Sequence, residues 1–202
     1  LLVVFSWSVV CGAATPEGGP NVFESSTRPE PAGELDRIVF AKLSSQGIQP
    51  ALCSDAVFVR RAYQDVTGTL PTADEARKFI RDPDAKNKRR VLIDRLLQRE
   101  EFADYWAMKW GDILRIKSEF PINLWPNAVQ AYHRWVHTSI RENKPFDQFV
   151  RELVTAEGMI DENGAVGFYL RDRGMEIDNL ATTVQAFLGT QLVCAQCHDH
   201  PF

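Results

Sequence analysis

Near its final residue, Phe202, the chain reads Cys194-Ala195-Gln196-Cys197-His198. Two thiols three positions apart suit the two vinyl groups of one porphyrin, and the adjacent imidazole then reaches the iron. This C-x-x-C-H spacing is the attachment signature of haem c. His200 widens the pattern to Cys194-x-x-Cys197-His198-Asp199-His200. Zinc takes Cys and His ligands tetrahedrally, so a second reading is a zinc site of Cys194, Cys197 and His200 completed by a remote residue. All four side chains on one ion is disfavoured, because the neighbouring Cys197 and His198 rarely point the same way. A third reading is a Cys194–Cys197 disulfide in an exported protein, with Asp199 and His200 capping the turn.

Other residues of suitable chemistry are scattered. A haem iron held by His198 has a sixth position, filled or open. His133 and His137, four apart on one helical face, and Met159 and Met175, flanking a glycine-rich stretch, are candidates for it. Their ordinary alternatives are surface or interfacial histidines and core methionines. Trp106, Trp110, Trp125 and Trp135 could line a cofactor or carbohydrate cleft. Trp106 and Trp110 share a face with Phe102, however, which favours the core. Asp65, Asp112 and Asp147 have Arg60, Arg95 and Arg151 as possible partners, and buried structural ion pairs fit better than a catalytic carboxylate couple. Cys53 reads as a small buried residue. No nucleophile motif, phosphate loop or H-E-x-x-H stands in the sequence.

The 202 residues are 45% hydrophobic and 25% charged, an ordinary globular composition for one domain or little more. A net charge of -4 gives no basic surface for nucleic acid. The run Lys86, Lys88, Arg89 and Arg90 reads as the solvated start of a helix. Residues 1–14 are apolar to Val10 except for Ser6 and Ser8 and then small, which reads as a signal peptide lacking its basic start, cleaved after Ala13 or Ala14. Ten apolar residues are too few to span a bilayer. Residues 15–33, rich in proline and glycine, read as a disordered linker. Export suits the cysteine pattern, since haem is attached outside the bacterial cytoplasm. The expected location is the periplasm or cell surface.

The elements that must position the cysteines are helical. Leu35, Ile38, Val39 and Leu43 recur at helical spacing, and Gly47 follows as a stop. Ser54 is placed to cap a second helix that ends near Gly68. Thr72 and Glu75 form a capping box for a short third helix. Further helices carry Val91 to Leu97, Phe102 to Leu114, about Asn127 to Asn143, and Phe146 to Thr155. Residues 158–174, with four glycines, read as a long loop. A last helix is expected from about Glu176 to Leu192, with Leu180, Val184, Phe187 and Leu188 facing inward. The fold class is all-α: an irregular multi-helix domain of about seven helices with long loops over residues 34–202, incomplete at its C-terminus.

Four stretches are similar to a known family. They are Phe58-Val59-Arg60-Arg61-Ala62-Tyr63-Gln64-Asp65-Val66-Thr67-Gly68 with Leu70-Pro71-Thr72; Asp94-Arg95-Leu96-Leu97 leading to Phe102-Ala103-Asp104-Tyr105-Trp106 and Trp110-Gly111-Asp112-Ile113-Leu114-Arg115; Asn143-Lys144-Pro145-Phe146-Asp147-Gln148-Phe149-Val150-Arg151-Glu152; and Thr183-Val184-Gln185-Ala186-Phe187-Leu188-Gly189 running into Cys194 to Phe202. From Asp36 to Phe202 the chain resembles the planctomycete cytochrome-C-like domain family, a domain of unknown function in large exported bacterial proteins. The resemblance implies an exported helical domain, a C-x-x-C-H suspected of binding haem c, and a further C-terminal domain of the same protein. It implies no reaction. Many such proteins carry an upstream cytochrome-like domain with its own C-x-x-C-H, which is not seen here.

The expected function is electron transfer or redox chemistry by a domain carrying one haem c and meeting a redox partner protein. The alternatives are a structural or binding domain with a Cys/His site or disulfide, and an accessory part of a cell-surface enzyme.

Overall fold

The computed structural model describes residues 21–118 and 125–197. Residues 1–57 and 58–202 form two compact units.

In the first unit, Glu24 pairs with Cys53 in an isolated antiparallel bridge. The Ser25 amide donates to Leu52 and the Ser54 amide to Phe23. Helix α1 (Glu34–Ser45) has no buried residue, and Leu35, Ile38 and Val39 are exposed. Gly47 closes the helix at a positive φ of 70° and donates to Ser44. Helix α2 (Asp55–Thr67) follows. Ser54 Oγ is buried without a hydrogen-bond partner, so the side-chain cap expected from Ser54 does not form.

The second unit has helices and no strand among its described residues. Val59, Ala62 and Tyr63 of α2 pack with Phe79 of α3 (Ala73–Ile80) and with Leu92 and Leu96 of α4 (Lys88–Leu96). Leu92 and Leu96 are almost completely buried, each worth about 1.5–3 kcal/mol of transfer free energy. The Thr72–Glu75 capping box is present: each side chain accepts from the other's backbone N–H. Lys88 of the basic run is itself buried, its Nζ 3.3 Å from the Asp82 carbonyl, while Arg89 lies 4.6 Å from the centre of the Phe58 ring.

A second, larger core joins the remaining helices: α5 (Glu100–Ile113), α6 (Pro126–Arg141), α7 (Phe146–Val154), α8 (Gly167–Leu170) and α9 (Glu176–Leu188). Pro126 opens α6, where its missing N–H has no intrahelical partner to lose. Ala107, Leu114, Tyr132, Val136, Phe149, Leu153 and Phe168 form the centre.

Nine α-helices are therefore present among the described residues, against the expected seven or so. The expected loop at 158–174 accounts for much of the difference. It holds a 3-10 turn (Gly164–Val166) and α8. Two of its glycines, Gly164 and Gly167, serve close approach, while Gly158 and Gly174 take the positive φ of 100° and 79° expected of loop glycines. A Cβ on Gly167 would lie 2.5 Å from the Tyr132 ring, and one on Gly164 would lie 2.5 Å from the Ala131 carbonyl oxygen. Helix α9 stops at Leu188, short of Leu192, because Gly189 turns into the left-handed region at φ 66°.

Candidate functional site

Past Gly189 the chain folds back along α9. Cys194–Gln196 form a 3-10 turn, and the Cys197 amide donates to the Cys194 carbonyl at 3.3 Å. The Gln196 amide side chain donates to Asp178 at 3.1 Å. Asp178 lies in the first turn of α9, about 15 Å back along the helix axis from Leu188. Both Cys194 and Cys197 are exposed free thiols. His198 and His200 lie outside the described residues. Among the described residues no group of three His, Cys, Asp or Glu side chains is placed to hold a metal ion.

The outer side of α9 is apolar. Ile177, Leu180 and Leu188 are 63%, 57% and 73% exposed, with Val184 half-buried between them at helical spacing. Val193, next to Cys194, is exposed as well. Leu180 and Leu188 therefore face outward, contrary to expectation. The inner side of α9 is instead largely polar: Asn179, Ala181, Thr182 and Thr183 pack inward with Phe187.

Those polar residues meet a buried ion cluster. Arg171 and Asp172, at the end of α8, are 1% and 2% exposed. Arg171 Nε donates to Asp172 Oδ2 at 2.9 Å, one Nη donates to the Leu114 carbonyl, and the other donates to Thr182 Oγ1 at 3.1 Å. Asn179 donates to Asp172 Oδ2 and to the Phe168 carbonyl, each at 3.1 Å. Arg115 Nη1 approaches Asp172 Oδ1 at 3.3 Å, an oxygen that makes no hydrogen bond. Tyr132 has a buried hydroxyl without a partner, and burial pushes its pKa up. Burial also pulls the Arg171 pKa down from its ordinary value. Arg115 holds a positive φ of 57° just beyond α5, a conformation that non-glycine residues keep only when their surroundings impose it. The sequence reading missed this cluster. Its one signal was the adjacent opposite charges Arg171-Asp172 in a glycine-rich stretch.

The scattered candidates fall elsewhere. His137 Nε2 lies 3.1 Å from Asp104 and joins α6 to α5, with the His133 ring stacked beside it at 6.4 Å. Met159 is exposed and Met175 precedes α9. Trp110 packs on Phe149 at the edge of the core as expected, and Trp135 stacks there too; Trp106, expected in the core, is exposed and donates to the Val66 carbonyl. Trp125 is exposed at the start of α6. Asp65 pairs at 3.8 Å with Arg61 rather than Arg60, on the surface. Asp112 and Asp147 are exposed, so none of the three expected buried ion pairs forms.

The class these features define is an all-α domain with a surface C-x-x-C turn braced by a polar helix face. The chain belongs to the family described as protein of unknown function (DUF1549), PSCyt2, which it matches over residues 34–202. No curated protein and no solved structure matches it. No helix among the described residues is long and apolar enough to cross a membrane.

Proposed function

We propose that residues 34–202 form an exported domain that carries one haem c and works in electron transfer. Cys194 and Cys197 would be its thioether anchors and His198 an axial ligand of the iron. The observation that carries this reading is the pairing of two free, exposed thiols on one short turn with a bare apolar stripe on the helix beside it. A porphyrin needs both: thiols reachable by its vinyl groups and apolar surface to cover its faces. An exposed apolar patch of this kind marks a ligand or partner site. Two thiols and an adjacent imidazole are the donor types such a haem takes.

Haem would supply one-electron chemistry; the chain supplies attachment, orientation and exclusion of water. Gln196, through Asp178, fixes the turn against α9 and so fixes where the two thiols point. Residues 1–14, acting as a signal peptide, would deliver the domain to the periplasm or cell surface, where attachment occurs. The electron partner would be a second redox protein.

The full protein, expressed in a periplasm with haem-attachment machinery, tests this. The expected result is a sharp Soret band that stays with the polypeptide after denaturation and is lost in a Cys194→Ser, Cys197→Ser double variant. Intact protein without the band overturns the reading. Elemental analysis for zinc then decides the alternative in which Cys194, Cys197 and His200 hold that ion.

A further inference from the structure

The buried cluster carries unequal charge. Two guanidinium groups, Arg115 and Arg171, share one carboxylate, Asp172. Arg171 uses its donors inward, on Asp172, Leu114 and Thr182. Arg115 is different. Its side chain is 30% exposed, and Asp172 Oδ1 is its charged partner among the described residues. The surplus positive charge therefore sits on Arg115.

Arg115 faces a cavity of about 420 Å³, lined also by Ile113, Thr182, Gln185 and Ala186. Asp112 and Lys117, which line a neighbouring cavity with Arg115, carry opposite charges. The 420 Å³ cavity thus offers a guanidinium, the Gln185 amide and two apolar walls, with no carboxylate among its lining residues; the Thr182 hydroxyl already donates to the Asp178 carbonyl at 2.8 Å. A guanidinium fork of this kind matches a carboxylate bidentately. The position is also built. The Leu114 carbonyl is held by Arg171, the Arg115 amide donates to Asp112 at 3.2 Å, and the Ile116 amide donates to Gly111 at 2.8 Å. These contacts hold Arg115 in its left-handed conformation.

We infer that this cavity, between the end of α5 and α9, binds a carboxylate group, with Arg115 as its cationic partner and the Gln185 amide as its polar neighbour. Its place on α9 suggests the source. Asp178, Thr182 and Gln185, spaced four and three apart, lie on one helical face, and Asp178 is where Gln196 docks the C-x-x-C turn. A haem attached at that turn has two propionates to place, and Gln185 lies about 10 Å further along the helix axis from Asp178. That source rests on the haem reading. A free small carboxylic acid does not.

The full chain, prepared without haem, separates the two. The probes are haemin, haemin dimethyl ester (its propionates capped) and succinate. Haemin binding is expected to weaken about tenfold in Arg115→Gln, the loss of one charge-assisted contact, with ester binding unchanged. Gln185→Glu places a carboxylate in the cavity from an exposed position, and is expected to act in the same direction even if Arg115→Gln does not fold. If wild-type protein binds no haemin, the haem reading fails. The carboxylate site then stands if succinate shifts the Arg115 Nε–H resonance in wild type and not in Gln185→Glu. The inference is overturned if both variants affect haemin and its ester alike and succinate leaves the Arg115 resonance unmoved.

Discussion

Two ion clusters in the same helical unit make opposite use of charge. Around α3, Arg99 bridges Glu75 at 2.7 Å and Glu101 at 2.6 Å, all three side chains about a third exposed or more. Beneath α9, Arg171 and Asp172 pair at 2.9 Å in full burial. Water still solvates the first cluster, so its pairs contribute little and tolerate loss. The second has given up its hydration and depends on every partner. This polar knot ties α9 to Arg171 and Asp172 through Thr182 and Asn179, and the turn with the two thiols docks on the first turn of the same helix. The costly cluster lies beneath the helix on which the C-x-x-C turn docks.

The contrast can be broken or sharpened by measurement. The largest effect is expected for Asp172→Ala, which strands Arg171 without its carboxylate and costs about 3–5 kcal/mol in urea denaturation. Glu75→Ala should cost far less; equal costs would erase the distinction between the clusters. Gly167→Ala comes next, because its Cβ would strike the Tyr132 ring. A loss of about 1–3 kcal/mol is expected from overpacking, read by thermal unfolding. Thr72→Ala removes one half of the capping box of α3 and should cost about 1 kcal/mol. The smallest effect concerns pH. The Thr72 backbone N–H, against opposing burial and helped by Arg99, holds the Glu75 carboxyl down at about 2. A depressed folded pKa gives stability that is complete above the unfolded carboxyl range and is lost as pH falls toward 2. Glu75→Gln should therefore flatten the stability profile between about pH 4.5 and 2. An unchanged profile would show that Glu75 contributes nothing there.

Much of the helical framework was legible because it rests on local signals. The Thr72–Glu75 box and the aromatic period of α5 both act within a few residues. What escaped reading depends on contacts between elements. Gly164 and Gly167 suggested a loop, since a glycine needed for close packing looks the same in sequence as one needed for flexibility. Leu180 and Leu188 were placed inward by periodicity, but α9 buries its polar side on Arg171 and Asp172. An apolar stripe shows which residues share a face, not which face meets the core. The cysteine turn was legible by spacing alone. Its bracing by Gln196 and Asp178 was not, because the two lie eighteen positions apart.

The central claim is that Cys194 and Cys197 anchor haem c, and intact-mass analysis tests it most directly. Protein matured with haem-attachment machinery should gain the mass of one haem per chain. After proteolysis, that mass should map to the peptide containing Cys194, Cys197 and His198. Recovery of that peptide with two unmodified thiols, from folded protein matured in the same way, would contradict the account.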